Sequence, residues 1–527
     1  MEGRHTTMGF HVLIALFPIL LIVYLMVKKQ LAADISGMAG WLLTILTAFF
    51  IFNTSLEVTL RSSLAGLISS FPVSIMVLSS IFQITFMQAT GALQRIVVFI
   101  KTLAPTDKAA QIMLLNVGAG TLLVSIGATP VSILPPILIA LGYSTFVAVA
   151  LPAIGFDALC TFALLGAPLV VFADLTGTPL VESARVFAKF LPVISTLIGF
   201  GMLWIVGRFK FIKEGFIPCI LAGVTNGGVA IAISNIPAFN SAVVLTGVIA
   251  GICTILVILA YLIVTGKPVI DRANLTPEDI KTESQMSLVT ALSPWLILIS
   301  ILLIINFYQP LLTYLFKTLS MPVSIIPGQV IKTRMLWNAY TWVFVSTFLA
   351  ALFIRTSRAT IKEIWTKWAQ RAPRPTIAAA VFFAIAFVMN NSGMQITGGT
   401  WQVSDPGVNM IAVLAQASTN TFGTFYPFIS SFLGLFGGFV SGSEASTIAM
   451  FTKYHILTSK ILNVDALVVI AATAIGGGLA SVISPAKLQN AAATIDAVGM
   501  ESQVIKTTFI ISLLLTTVSG FMAMLII

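Results

Sequence analysis

Charge is scarce in this sequence. Of its 527 residues only 9% are Asp, Glu, Lys or Arg, where a soluble globular domain carries roughly 25%. A soluble fold is therefore excluded first. Cysteine is nearly absent as well. Cys160, Cys219 and Cys253 stand singly in apolar segments, which excludes a disulfide framework or a thiolate metal site. There is no His-Glu-x-x-His, no Gly-x-Ser-x-Gly elbow with a partnered histidine and no cofactor motif, so no cofactor is expected and nothing marks an enzyme. The lack of a nucleotide-binding loop excludes ATP coupling within the chain. The charged rings or filter sequence of a passive channel are also missing.

What is present is hydrocarbon. Runs such as Gly9–Val27, Ala242–Val264 and Thr507–Ile527 hold almost no charge, and an apolar span of about 20 residues crosses a bilayer as a helix. The sequence predicts an all-α polytopic protein with about 12–14 transmembrane helices. Its net charge of +10 points to loop placement, not to nucleic acid. The clearest block, Arg355, Arg358, Lys362, Lys367, Arg371 and Arg374 against Glu363, is a cytoplasmic loop by the positive-inside rule. Arg95, Lys101 and Lys108 beside Asp107 mark another. Lys28 and Lys29 after the first span put the amino terminus outside, and with no small-residue cleavage site that span is expected to be retained.

The chain divides into a first membrane half at 1–265, a polar connecting loop at 266–288 and a second membrane half at 289–527. Each half contains one irregular stretch at membrane depth. In 116–138, Pro130, Pro135 and Pro136 interrupt an apolar run with Ser125, Gly127 and Thr129, and proline inside a helix costs about 3 kcal/mol. In 434–456, glycines and the serines of SGSEAS do the same. Irregular backbone in hydrocarbon is tolerated only where protein or a wet cavity covers it, so both read as broken or re-entrant hairpins. The two also align. Gly118, Val124 and Ser125 fall on Gly434, Val440 and Ser441. Further on, Ala150, Ala153, Ile154 and Gly155 fall on Ala471, Ala474, Ile475 and Gly476. Paired interruptions in two halves are the sequence mark of inverted repeats around a midplane transport site.

A carboxylate substrate needs N–H groups, hydroxyls or a cation. Half-helix N-termini supply the first, and Ser125, Thr129, Ser441, Ser443 and Ser446 the second, although small hydroxyls also let helices pack closely. Lys487 is the candidate cation, against a bland role snorkelling to the headgroups. For proton coupling the candidates are Glu444, Asp157 and His455. Glu444 in SGSEAS also fits a capping position, Asp157 stands alone in an apolar span, and His455 beside Lys453 also fits an interfacial histidine.

The segments IGATPVSI, LGYSTFVAVALPAI, MNNSGMQ, SGSEASTIAMF and VISPAKLQNAAATIDAVGMES together resemble the L-lactate permease family of 2-hydroxy-monocarboxylate:proton symporters. The resemblance implies a plasma-membrane permease in the lipid bilayer that moves lactate, glycolate or a close relative with a proton. It implies an inverted-repeat fold with re-entrant hairpins, and it adds Asn391 and Ser392 of MNNSGMQ to the substrate candidates. A sodium-coupled organic anion carrier is the alternative. The chain departs from the family at Leu122–Thr129, which lacks the family's glutamate, and at Ala480-Ser481-Val482, which lacks its lysine; Lys487 supplies a cation nearby.

Overall fold

Hydrocarbon offers backbone N–H and C=O groups no partner but one another, so the charge-poor runs fold as helices. In the computed structural model, which describes residues 2–103, 107–155, 159–273, 275–403, 409–497 and 499–527, twelve helices are long and apolar enough to span a membrane, or thirteen if one bent pair counts as a span. This agrees with the sequence reading. Strands among the described residues are confined to two short hairpins, Pro322–Val323 with Ile331–Lys332 and Met394–Thr397 with Thr400–Val403. The second turns on Gly398 and Gly399 at φ +59° and +79°, as a tight hairpin turn requires.

Some boundaries differ from the sequence reading. Glu57 and Arg61, read as a polar break, lie inside the helix Leu56–Ser69 as an i,i+4 ion pair of 2.7 Å. The next helix, Phe71–Ala89, starts after Ser70. The basic segment read as a loop is a helix, Arg358–Arg371, capped by the Ser357 hydroxyl and fastened by Trp368 Nε1 donating to Leu78 O at 3.0 Å. The connecting loop is docked onto the first half. Lys101 holds Asp279 at 2.9 Å, Lys267 holds Asp107 at 2.7 Å, and Arg95 Nε donates to Met286 O at 3.0 Å.

Two assemblies position the site. The first hairpin has a leading arm, Lys108–Ser125, containing a π-helical stretch Met113–Ala119, and a returning arm, Pro130–Ala140. A broken helix follows it. Its near piece is Thr145–Gly155, and a 3-10 turn Cys160–Phe162 leads into its far piece, Ala163–Thr176, at a bend of 69°. Inside the far piece, Leu164, Leu165 and Gly166 at φ +53°, +55° and +79° add a further kink, a costly conformation for two leucines. The second hairpin has arms Tyr426–Ser441 and Glu444–Leu462. An interrupted helix again follows: near piece Ala466–Leu479, 3-10 turn Ala480–Ile483, far piece Pro485–Ala493. The order of elements is the same in both.

The two assemblies clasp each other reciprocally. The far piece Ala163–Thr176 packs on the second hairpin's returning arm, and the far piece Pro485–Ala493 packs on the first hairpin's returning arm. Within the second assembly the leading arm runs alongside the near piece at glycine contacts. A Cβ on Gly434 would collide with Thr473 O, and one on Gly438 with Gly477 O. Small residues four apart allow this approach.

Candidate functional site

The second hairpin turns over Ser441, Gly442 and Ser443, each with a distinct task. Gly442 takes φ +68° and its N–H bonds to Gly438 O at 2.8 Å, closing the leading arm in a left-handed cap. Ser443 is extended, and its hydroxyl accepts the Ser446 N–H at 3.3 Å, capping the returning arm. Ser441 Oγ accepts the Ser443 N–H at 3.2 Å and so ties the turn across. The hydroxyl of Ser446 is buried with no partner among the described residues. The helix start read from SGSEAS is therefore present.

Glu444 begins the returning arm and is only 3% exposed. Its Oε1 accepts the Thr161 hydroxyl at 2.6 Å. Thr161 belongs to the 3-10 turn of the first broken helix, so this bond joins the two halves. The third wall is Gly478, where a Cβ would stand 2.9 Å from Glu444 Oε2 and 3.3 Å from Cys160 Cβ. Among the described residues Glu444 makes no direct ion pair. Lys487, on the far piece Pro485–Ala493, donates to Ser481 Oγ and lies within electrostatic reach of Glu444. A buried carboxyl held by the Thr161 hydroxyl and the Cys160 thiol, with a cation nearby, can change its proton at lower cost than one locked in a direct ion pair.

The first tip has a similar construction. Ser125 Oγ donates to Thr121 O at 2.7 Å, Gly127 takes φ +88°, and Thr129 precedes Pro130 with its side chain exposed and no capping bond. A methyl on Gly247 would strike Ser125 Oγ and lie 3.1 Å from Phe162 O. The 3-10 turn thus stands between the tips, with Thr161 on Glu444 and Phe162 beside Ser125.

The other candidates lie elsewhere or outside the description. His455 sits roughly three turns along the returning arm from Glu444, about 16 Å. Its Nδ1 meets Tyr426 OH at 2.6 Å and its Nε2 meets Thr473 Oγ1 at 2.7 Å, fully buried in a three-helix network. Asn391 and Ser392 close the helix Pro373–Asn390. Asn391 Nδ2 donates to Phe387 O at 2.9 Å, and Ser392 Oγ accepts the Met410 N–H at 2.8 Å. Asp157 lies outside the described residues. Sequence reasoning missed Cys160, Thr161 and Gly478. The available signal was the bracket of Pro152, Gly155, Gly166 and Pro168 around CTF, which marks a second break.

The sequence profile of the L-lactate permease family matches residues 11–527. The glycolate permease GlcA of Escherichia coli is 25% identical over 570 residues, covering 98% of this chain and 96% of that protein. The L-lactate permease of Streptococcus iniae is 24% identical, covering 86% of this chain and 92% of that protein. That of Bacillus subtilis is 23% identical, covering 95% and 93%.

Proposed function

The chain belongs to the L-lactate permease family, and on that premise we propose that it carries small organic monocarboxylates, chiefly 2-hydroxy acids of the lactate and glycolate type, by proton symport across the plasma membrane. The names of its relatives, a glycolate permease and L-lactate permeases, support the substrate class. One observation carries the coupling: a buried carboxylate, Glu444, at the tip of one half accepts a 2.6 Å bond from Thr161 in the break of the other. A residue so placed senses any movement of one half against the other.

In this reading the substrate carboxylate is held near the two tips by the helix N-termini at Pro130 and Glu444, the hydroxyls of Ser125, Thr129, Ser441, Ser443 and Ser446, and the ammonium of Lys487. Gly127 lets the first tip turn. Glu444 takes up the co-transported proton. The shared element order and the reciprocal clasp support an inverted repeat of the segments 1–265 and 289–527.

The test is uptake of labelled lactate, glycolate, pyruvate and a dicarboxylate into proteoliposomes under an imposed pH gradient, with sodium replaced and with a protonophore added. Lactate or glycolate should accumulate with the gradient, independently of sodium. Glu444→Gln should abolish that accumulation while substrate exchange persists. Accumulation surviving Glu444→Gln intact would make Glu444 a structural cap and Asp157 the acid to test next. Sodium-dependent accumulation would refute proton symport.

A further inference from the structure

Far from the hairpin tips, the helix Leu191–Glu214 breaks near its end. Gly207 takes φ −156°, ψ 25°, and Arg208 takes φ +56°, ψ −146°. Arginine rarely occupies that region, and such outliers persist where surrounding structure holds them. The bend turns the guanidinium back over Trp204, with Cζ 4.1 Å from the ring centroid. Beside it opens a cleft of about 230 Å³ lined by Phe146, Trp204, Ile205, Arg208, Gln503 and Thr507, far more than the 10–15 Å³ or so that one water needs.

Three polar side chains converge there unused. Arg208, Gln503 and Thr507 make no side-chain hydrogen bond or ion pair among the described residues, and Arg208 has only its indole contact. Lys210, Lys213 and Lys506, close in sequence to lining residues, are exposed. Of the nearby acids, Glu214 closes the helix, and Glu501 Oε2 is engaged by the Gly499 N–H at 2.7 Å. The cleft lies at the membrane end shared with Lys108, since Gly215 abuts Ala109 and Lys108 Nζ donates to Leu141 O at 2.8 Å. The docked connecting loop is at that end too, with Lys267 on Asp107. The positive-inside rule makes it the cytoplasmic surface.

We propose that this cleft binds the phosphate headgroup of an anionic phospholipid of the cytoplasmic leaflet. The guanidinium fork suits a phosphate's paired oxygens, Gln503 and Thr507 can meet the remaining oxygens, and the three lysines supply the long-range field. Basic pockets between transmembrane helices on this side are headgroup sites by the same physics. Phe209, Phe216 and Ile217, exposed by 74%, 54% and 59% beside the bend, offer acyl chains an apolar wall. That wall argues for a lipid over a soluble phosphate. The site is independent of the transported substrate.

The test is native mass spectrometry of the full chain in neutral detergent, titrated with short-chain phosphatidylglycerol, short-chain phosphatidylcholine or inorganic phosphate. Phosphatidylglycerol should bind the wild type saturably and ~10-fold more weakly after Arg208→Gln, the loss of a charge-assisted bond. Arg208→Gly should lose it equally while relieving the backbone at 208, so that misfolding cannot account for the loss. Phosphatidylglycerol binding unchanged in both variants, or phosphatidylcholine binding equally well, would overturn the proposal. Inorganic phosphate competing at equal concentration would make the cleft a soluble-anion site and overturn the lipid assignment.

Discussion

Gly478→Ala is the sharpest probe of the site, because it adds one methyl group at a known place. Its Cβ would stand 2.9 Å from Glu444 Oε2 and 3.3 Å from Cys160 Cβ. The carboxylate is the far end of a flexible side chain, so it moves, and its 2.6 Å bond to Thr161 is lost. A hydrogen bond to a charged group contributes ~1.5–3 kcal/mol net. Against this, Gly to Ala inside a helix gains about 1 kcal/mol. That gain acts on folding and not between two folded states, so the equilibrium that the bond controls shifts by ~1.5–3 kcal/mol, roughly 10- to 150-fold. The assay is a double-mutant cycle on gradient-driven uptake with Thr161→Val, which keeps the shape and removes the donor. Both single variants should lose coupled uptake to a similar degree, and the double variant should lose little more, because they break the same contact. Additive losses, or wild-type uptake by Gly478→Ala, would refute the Glu444–Thr161 contact as the coupling element.

Other outcomes follow from other contacts. Lys487→Gln should raise the half-saturation concentration for lactate at unchanged expression; an unchanged value would return Lys487 to a structural role beside Ser481. Gly434→Ala should destabilise the fold by about 3 kcal/mol or more, since its Cβ meets the Thr473 carbonyl and neither helix can yield; thermal unfolding in detergent measures it. Acid should release the connecting loop. Burial alone would raise the Asp279 carboxyl, but the Thr276 N–H and hydroxyl and the Lys101 ammonium hold it below its ordinary value of 3.8. A depressed acid stabilises the folded state above its unfolded pKa, and that contribution is lost as pH falls from 3.8 through the lower folded value. Protection of residues 270–286 from hydrogen exchange, taken relative to the intrinsic rate at each pH, should therefore be high at neutral pH and fall below about pH 4, and in Asp279→Asn it should be low throughout.

Of the second hairpin, the capped helix start in SGSEAS was legible. Gly442 announces a left-handed turn and Ser443 a cap, and local signals of this kind survive in any context. The first hairpin was legible from Pro130 and Gly127. What the sequence concealed was the partner of Glu444. Thr161 lies 283 residues away in CTF, and although the flanking prolines and glycines mark a break there, no local propensity encodes a contact of that range. His455 shows the converse. Next to Lys453 it reads as interfacial, yet its face of the helix points inward between Tyr426 and Thr473, and only tertiary packing determines which face is buried. Asn391 and Ser392 entered through a motif, and the hydrogen bonds they make are those of a helix end.

The reciprocal clasp has a consequence for biosynthesis. The returning arm Pro130–Ala140 is covered by Pro485–Ala493, so on the ribosome it waits for everything between Ala140 and Pro485 to be made. At ~5–20 residues per second that interval is tens of seconds. During it, a short helix containing Pro135 and Pro136 packs on Thr145–Gly155 but lacks the cover that Pro485–Ala493 later gives. The nascent first half therefore stays incomplete until the second interrupted helix docks on it.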